Sequence, residues 1–104
     1  MEGLWYAHFT AGQVHGDGLA VLRDGELLGG DPLHIYKGSY QSDGANLFAN
    51  VMISPHDSPG QPRDMEHPVS VFLKGSITGD SAVVSGHPER HDDLRIAVEL
   101  RKAL

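Results

Sequence analysis

The densest group of potential metal ligands lies between residues 87 and 93. Five side chains in this stretch carry an imidazole or a carboxylate: His87, Glu89, His91, Asp92 and Asp93. A zinc site needs several such groups converging on one point at about 2 Å. Pro88 interrupts the stretch, and no predicted helix places His87 and His91 on one side. We therefore predict a solvated polar loop, with no metal and no cofactor.

Gly29-Gly30-Asp31 raises a second chemical question, because glycine-rich loops bind phosphate when they lead into a helix N terminus. Here Pro32 and Leu33 follow, and then an alternation typical of a strand. We interpret the two glycines as a sharp bend at the corner of a barrel.

Covalent catalysis finds no support in the sequence. There is no cysteine, and the serines lie outside any Gly-x-Ser-x-Gly motif. The adjacent carboxylates Asp92 and Asp93 lie in a predicted loop, where no pocket is expected to shift their pKa values. We predict that the protein is not an enzyme.

The chain length predicts one small domain, residues 1–104, with a single hydrophobic core. The net charge is −6 and only eight residues are lysine or arginine, so direct nucleic-acid binding is not expected. The N terminus does not resemble a signal peptide, and no apolar run reaches the roughly 20 residues of a membrane span. We expect a cytoplasmic protein without membrane contact.

Alternating apolar and polar residues, the period of a half-buried strand, dominate the chain. The predicted strands cover 3–10, 19–22 (after an interruption at 16–18), 27–28, 34–40, 46–54, 69–78, 82–85 and 94–104. Hairpin turns are predicted at Asp24-Gly25, 41–44 and 78–81, and loops at 55–68 and 86–93. The last segment alternates strictly, which favours a strand, although its composition also suits a helix.

Eight antiparallel strands in sequence order predict an all-β fold, an eight-stranded up-and-down barrel. A flat or sandwiched meander is the alternative. The interior of such a barrel is either filled by side chains or holds one small ligand. An intracellular carrier of an apolar small molecule is therefore a second function to keep open.

The apolar residues of three predicted strands fall on one face and can fill the core. They are Leu47, Ala49, Val51 and Ile53; Val69, Val71, Leu73 and Ile77; and Leu94, Ile96, Val98 and Leu100. The opposite faces then carry Phe48, Met52 and Phe72. We interpret these three as a dimer or partner surface; the alternative is that a loop or the C-terminal segment covers them.

Four short motifs in the first half of the chain resemble the GrlR family, small bacterial negative regulators of type III secretion gene expression. They are Gly3-Leu4-Trp5 with Phe9, Gly16-Asp17-Gly18, Gly29-Gly30-Asp31 and Tyr36-Lys37-Gly38. The resemblance implies a lipocalin-like barrel that forms a homodimer. It also implies non-enzymatic regulation by contact, in which the barrel holds a transcriptional activator inactive.

In that family the contact is tied to an acidic surface loop. The corresponding positions here are Ser42, Asp43, Gly44 and Ala45, and only Asp43 is acidic. The resemblance thus predicts a partner-binding hairpin at 42–45 that has lost most of its charge.

Overall fold

The computed structural model describes residues 1–56 and 67–104. Its eight strands are β1 (Gly3–Ala11), β2 (Val14–Arg23), β3 (Glu26–Gly30), β4 (His34–Asp43), β5 (Asn46–Pro55), β6 (Val69–Thr78), β7 (Ser81–Pro88) and β8 (Ile96–Lys102). Each strand pairs with the next, and β8 pairs antiparallel with β1. The predicted eight-stranded barrel is confirmed. The described residues contain no helix long and apolar enough to cross a membrane, and most of the predicted loop 55–68, residues 57–66, lies outside them.

Two-residue turns join the short hairpins. Asp24 and Gly25 both have positive φ angles, 52° and 79°, as the predicted type I′ turn requires. The predicted turn at 41–44 is wrong, because β4 continues to Asp43 and the turn is Gly44-Ala45. Gly44 has a φ of 61°, so glycine stands first in the turn, as in type II′, and not last.

Other strand bounds also differ from the sequence prediction. Strand β2 is not interrupted at 16–18: Gly16 pairs with Phe9, and a Cβ at Gly16 would lie 2.8 Å from that ring. Glycine therefore makes room for an aromatic ring inside a continuous strand. Strand β3 covers 26–30, and β7 extends to Pro88, where we predicted a loop.

The last segment is a strand, β8, paired on both sides. Leu94 lies outside it and is 37% exposed, so its predicted place in the core is wrong. A hydrogen bond from the Leu94 N–H to the His91 carbonyl, 3.1 Å long, keeps this residue in a turn before the strand.

The core fills the barrel. Its buried apolar residues come from all eight strands, and the largest side chains with almost no exposure are Trp5, Leu22, Leu47 and Val71. Apart from Leu94, the inward sets predicted for the three strands pack in or against this core. A Cβ at Gly29 would overlap the Leu19 carbonyl oxygen, so β3 approaches β2 closely there. Both Gly29 and Gly30 lie within β3 and neither has a positive φ, so the glycines serve this close approach and the chain turns after them.

Candidate functional site

Phe48, Met52 and Phe72 form a cluster on the outer wall of the barrel. Their exposed fractions are 39%, 41% and 49%. Phe72 pairs across the ladder with Asn50, and Phe48 and Met52 lie two residues on either side of Asn50. The three side chains therefore surround one position on one face. Both their outward direction and their proximity were predicted from the alternation.

The C-terminal segment does not cover this cluster. It forms β8, which lies between β7 and β1, whereas the cluster lies on β5 and β6. The alternative in which the end of the chain folds over Phe48 and Phe72 is therefore wrong. The alternative in which the loop after β5 covers them falls mostly on residues 57–66, outside the described part of the chain.

Polar and cationic side chains complete what we call the β4–β6 face. Its nine outward residues are Lys37, Ser39, Gln41, Phe48, Asn50, Met52, Ser70, Phe72 and Lys74. Lys37 pairs with Met52, and Lys74 pairs with Phe48. An open groove lies on this face. Both phenylalanines contribute to its lining, together with Ser39, Gln41 and Asn50 and with Gly25 of the turn between β2 and β3.

The predicted contact hairpin adjoins this face. Asp43 pairs with Asn46 at the end of the ladder, two residues before Phe48. Ser42 and Asp43 belong to β4, and only Gly44 and Ala45 form the turn. All four residues are exposed. The structure thus brings the hairpin and the aromatic cluster together on one side of the barrel.

A second exposed apolar surface, which we call the β1–β4 face, was not predicted. Its residues are between 44% and 51% exposed: Tyr6, Leu19, Val21, Leu28 and Ile35. Tyr6 pairs with Leu19, and Val21 pairs with Leu28. The sequence signal for this face is the run Leu19-Ala20-Val21-Leu22. Alternate residues of a strand point to opposite faces, and this run is apolar on both.

A buried polar cluster lies where β3 turns into β4. The Asp31 side chain is only 5% exposed. Its Oδ1 accepts the backbone N–H groups of Leu33 and His34, each at 2.8 Å. The His34 Nδ1 lies 3.0 Å from both carboxylate oxygens, and the Tyr36 hydroxyl donates to Oδ2. One carboxylate therefore gathers four donors.

These contacts set the protonation of the cluster. Burial raises the pKa of Asp31, but the hydrogen bonds from Tyr36, His34 and the Leu33 N–H outweigh it and leave the pKa below its usual value. Burial, together with the hydrogen bond to Asp31 and the negative charge there, raises the pKa of Tyr36. Asp31 is thus ionised and Tyr36 is protonated at neutral pH, which suits a structural anchor.

The spacing of Asp31 from Leu33 and His34 was a sequence signal for this anchor. An aspartate that bonds the N–H groups two and three residues onward is a common loop motif. The ring of His34 also meets Phe9 edge-on, with centroids 6.2 Å apart. The stretch from Gly29 to Tyr36 therefore combines a close approach between strands with a loop held by Asp31.

The predicted polar stretch at 87–93 is open to solvent. The His87 Nδ1 lies 3.5 Å from an Asp92 oxygen, and these side chains are 52% and 87% exposed. Within residues 1–56 and 67–104, no three His, Asp or Glu side chains are grouped as metal ligands. Residues 87–93 therefore do not contribute to the exposed clusters described above.

No family model and no curated protein matches this chain.

Proposed function

We propose that this protein is a non-enzymatic regulator that acts by protein contact through the outer wall of its barrel. The proposal follows the GrlR resemblance: the barrel would bind a transcriptional activator and hold it inactive. The observation that carries it is the exposed cluster of Phe48, Met52 and Phe72. Clustered exposed aromatic and methionine side chains favour a protein interface.

The state of the barrel interior supports a function on the outside. The side chains of Trp5, Leu22 and Leu47 fill the interior and are almost fully buried. Two grooves of the described residues open on the outer wall. The alternative function, transport of an apolar molecule inside the barrel, has no comparable support.

The proposed homodimer would use the β1–β4 face. None of its five residues is charged, although Lys37 pairs with Leu28 and the Arg101 guanidinium lies over the Tyr6 ring. Two copies would bury the apolar centre and leave these cations at its rim. Leu28 lies near the middle of this face, half exposed. Leu28→Glu is expected to convert the dimer to a monomer in size-exclusion chromatography with light scattering. A wild-type chain that is strictly monomeric at micromolar concentration would remove the dimer from the proposal.

The regulatory proposal is tested with the full chain in its host. Cross-linking and affinity purification, followed by mass spectrometry, identify the partner, and a gel-shift assay with the purified partner measures its DNA binding. We expect the partner to be a DNA-binding activator that releases DNA when the barrel is added.

The variant that tests the contact surface is Phe72→Ser, which removes an exposed ring without disturbing the core. Equal recovery of the same proteins with the variant and with the wild type would contradict contact through this cluster. An apolar molecule retained by the wild type in native mass spectrometry would instead favour the carrier function.

A further inference from the structure

A pair of histidines lies on the outer wall of the β1–β2 hairpin. His8 on β1 pairs with Asp17 on β2, and His15 lies two residues before Asp17 on the same strand. Alternate residues of a strand share a face, so both histidines point to the outside of the barrel, away from the side of the buried Ala7 and Ala20. Their ring centroids are 6.1 Å apart. The strand register thus brings two imidazoles together on one surface.

Asp17 holds the His8 ring in a defined state. The His8 Nδ1 lies 2.7 Å from Oδ1 of Asp17. An ionised carboxylate only accepts hydrogen bonds, so Nδ1 carries the hydrogen and donates it. In the neutral ring, Nε2 then has the lone pair that binds a metal ion. A carboxylate behind a histidine is the usual arrangement at metal sites, where it fixes the tautomer and makes the ligand more basic.

His15 supplies the second nitrogen. It is exposed and forms no hydrogen bond or ion pair with the described residues. Two imidazoles on one ion have centroids about 4.5–6 Å apart, because each metal–nitrogen distance is about 2 Å and the ring centre lies about 1 Å behind the nitrogen. The observed 6.1 Å is at the upper end of this range. A small rotation of the exposed His15 side chain would bring both nitrogens to one ion.

Carboxylates flank His8 on both sides. Glu99 of β8 pairs with His8 on the side opposite to Asp17, and these three residues line one open groove. The Arg101 guanidinium also lines this groove and lies over the Tyr6 ring, 5.6 Å from its centroid. Two carboxylates against one cation leave the groove negative, which favours a bound cation.

We infer that His8 and His15 bind a late first-row transition-metal ion, with Asp17 as the positioning residue of His8. Imidazole nitrogens suit copper, nickel and zinc, and affinity rises toward Cu²⁺. The described residues do not group three His, Asp or Glu side chains as metal ligands, so water would complete the coordination. The inference goes beyond the proposed function and is independent of it, because the Phe48 cluster lies on β5 and β6.

Isothermal titration calorimetry of the full chain with Cu²⁺, Ni²⁺, Zn²⁺ and Mg²⁺ tests the inference. We expect one tight site for Cu²⁺, weaker binding of Ni²⁺ and Zn²⁺, and no binding of Mg²⁺, which prefers oxygen ligands. Asp17→Ala is expected to weaken Cu²⁺ binding about tenfold. His15→Ala removes a ligand and should weaken it more. The matched control, His87→Ala/His91→Ala, removes two exposed histidines elsewhere and should bind Cu²⁺ as the wild type does.

Nuclear magnetic resonance locates the ion, because Cu²⁺ broadens the signals of nearby amides. Substoichiometric Cu²⁺ should broaden the amides around His8 and His15 and spare those around His87 and His91. No Cu²⁺ binding by the wild type, an equal loss in the control variant, or broadening centred on other histidines would overturn the inference. Wild-type affinity in Asp17→Ala would overturn the positioning role of Asp17.

Discussion

Replacing Asp31 with asparagine is expected to destabilise the whole barrel, because this carboxylate fastens the loop between β3 and β4. Four donors converge on it: two backbone N–H groups, the His34 ring and the Tyr36 hydroxyl. Asparagine has nearly the same shape and keeps one carbonyl oxygen. It loses the charge, however, and turns an NH2 group toward the donors.

The size of the effect follows from these contacts. A hydrogen bond to a charged group contributes about 1.5–3 kcal/mol, and a neutral one about 1 kcal/mol. Asparagine can keep the two backbone bonds in neutral form but not all four. We expect Asp31→Asn to lower the free energy of unfolding by about 2–3 kcal/mol at pH 7, and Tm by about 10–20 °C. Asp31→Ala leaves every donor unpaired and should cost about 4 kcal/mol.

The difference between wild type and Asp31→Asn is expected to depend on pH. Although burial raises the pKa of Asp31, its hydrogen bonds lower it further, below the usual value. A carboxyl whose pKa is lower in the folded state stabilises the fold above its unfolded-state pKa of about 4. That contribution is lost as pH falls through the folded-state pKa. The difference in free energy of unfolding between the wild type and Asp31→Asn should therefore be largest at pH 7 and should shrink below about pH 4.

Urea unfolding followed by Trp5 fluorescence measures this gap. Trp5 is the only tryptophan, is 2% exposed and lies two strands from β3, so it reports unfolding of the whole barrel. The control is Asp43→Asn, the same change at an exposed carboxylate, which should alter stability by less than about 0.5 kcal/mol. An Asp31→Asn effect equally small at pH 7, or one that does not shrink in acid, would refute the anchoring role.

Two further substitutions test the hairpin and the barrel wall. Asp43→Ala should leave Tm unchanged. If the hairpin is the contact that the GrlR resemblance implies, this variant should recover less of the host partner in affinity purification than the wild type does. Equal recovery would contradict contact through the hairpin. Gly38→Ala should destabilise the barrel by about 1–3 kcal/mol in urea unfolding, because the added Cβ would overlap the Asn50 carbonyl oxygen. An unchanged midpoint would mean that β4 and β5 separate there at little cost.

The barrel could be predicted because alternation is a local signal that survives in every strand. It assigned β8 as a strand although its residues also favour a helix. It failed where glycine replaces an inward side chain, as at Gly16 and Gly18, since glycine gives no sign of which face it occupies. The turn at Gly44-Ala45 was misplaced because Asp-Gly fits two turn types, and only the ladder decides which residue comes first.

Some features of the candidate site could be predicted from the sequence, and others depend on the strand register or the loop backbone. The outward direction of Phe48, Met52 and Phe72 follows from their parity along β5 and β6, so the sequence predicts it. The position of Lys37 beside this cluster could not be predicted without the strand register. Lys37 and Met52 lie 15 positions apart and meet only through the β4–β5 ladder. The Asp31 anchor needed the backbone of the loop, since its donors converge only when the chain turns back at Pro32.

Lys37 connects the two exposed apolar faces of this barrel, because it pairs with Met52 on one side and with Leu28 on the other. The apolar residues of the two faces are exposed to similar degrees, between 39% and 51%, so hydrophobic area alone assigns neither a partner. Apolar contacts contribute affinity for any apolar surface, whereas charge excludes the wrong one. Charge does not separate the two faces here, since Lys37 borders both of them and the Arg101 guanidinium lies over Tyr6. The proposed dimer and the proposed partner contact would therefore adjoin at Lys37, and a second copy centred on Leu28 would approach the edge of the partner face.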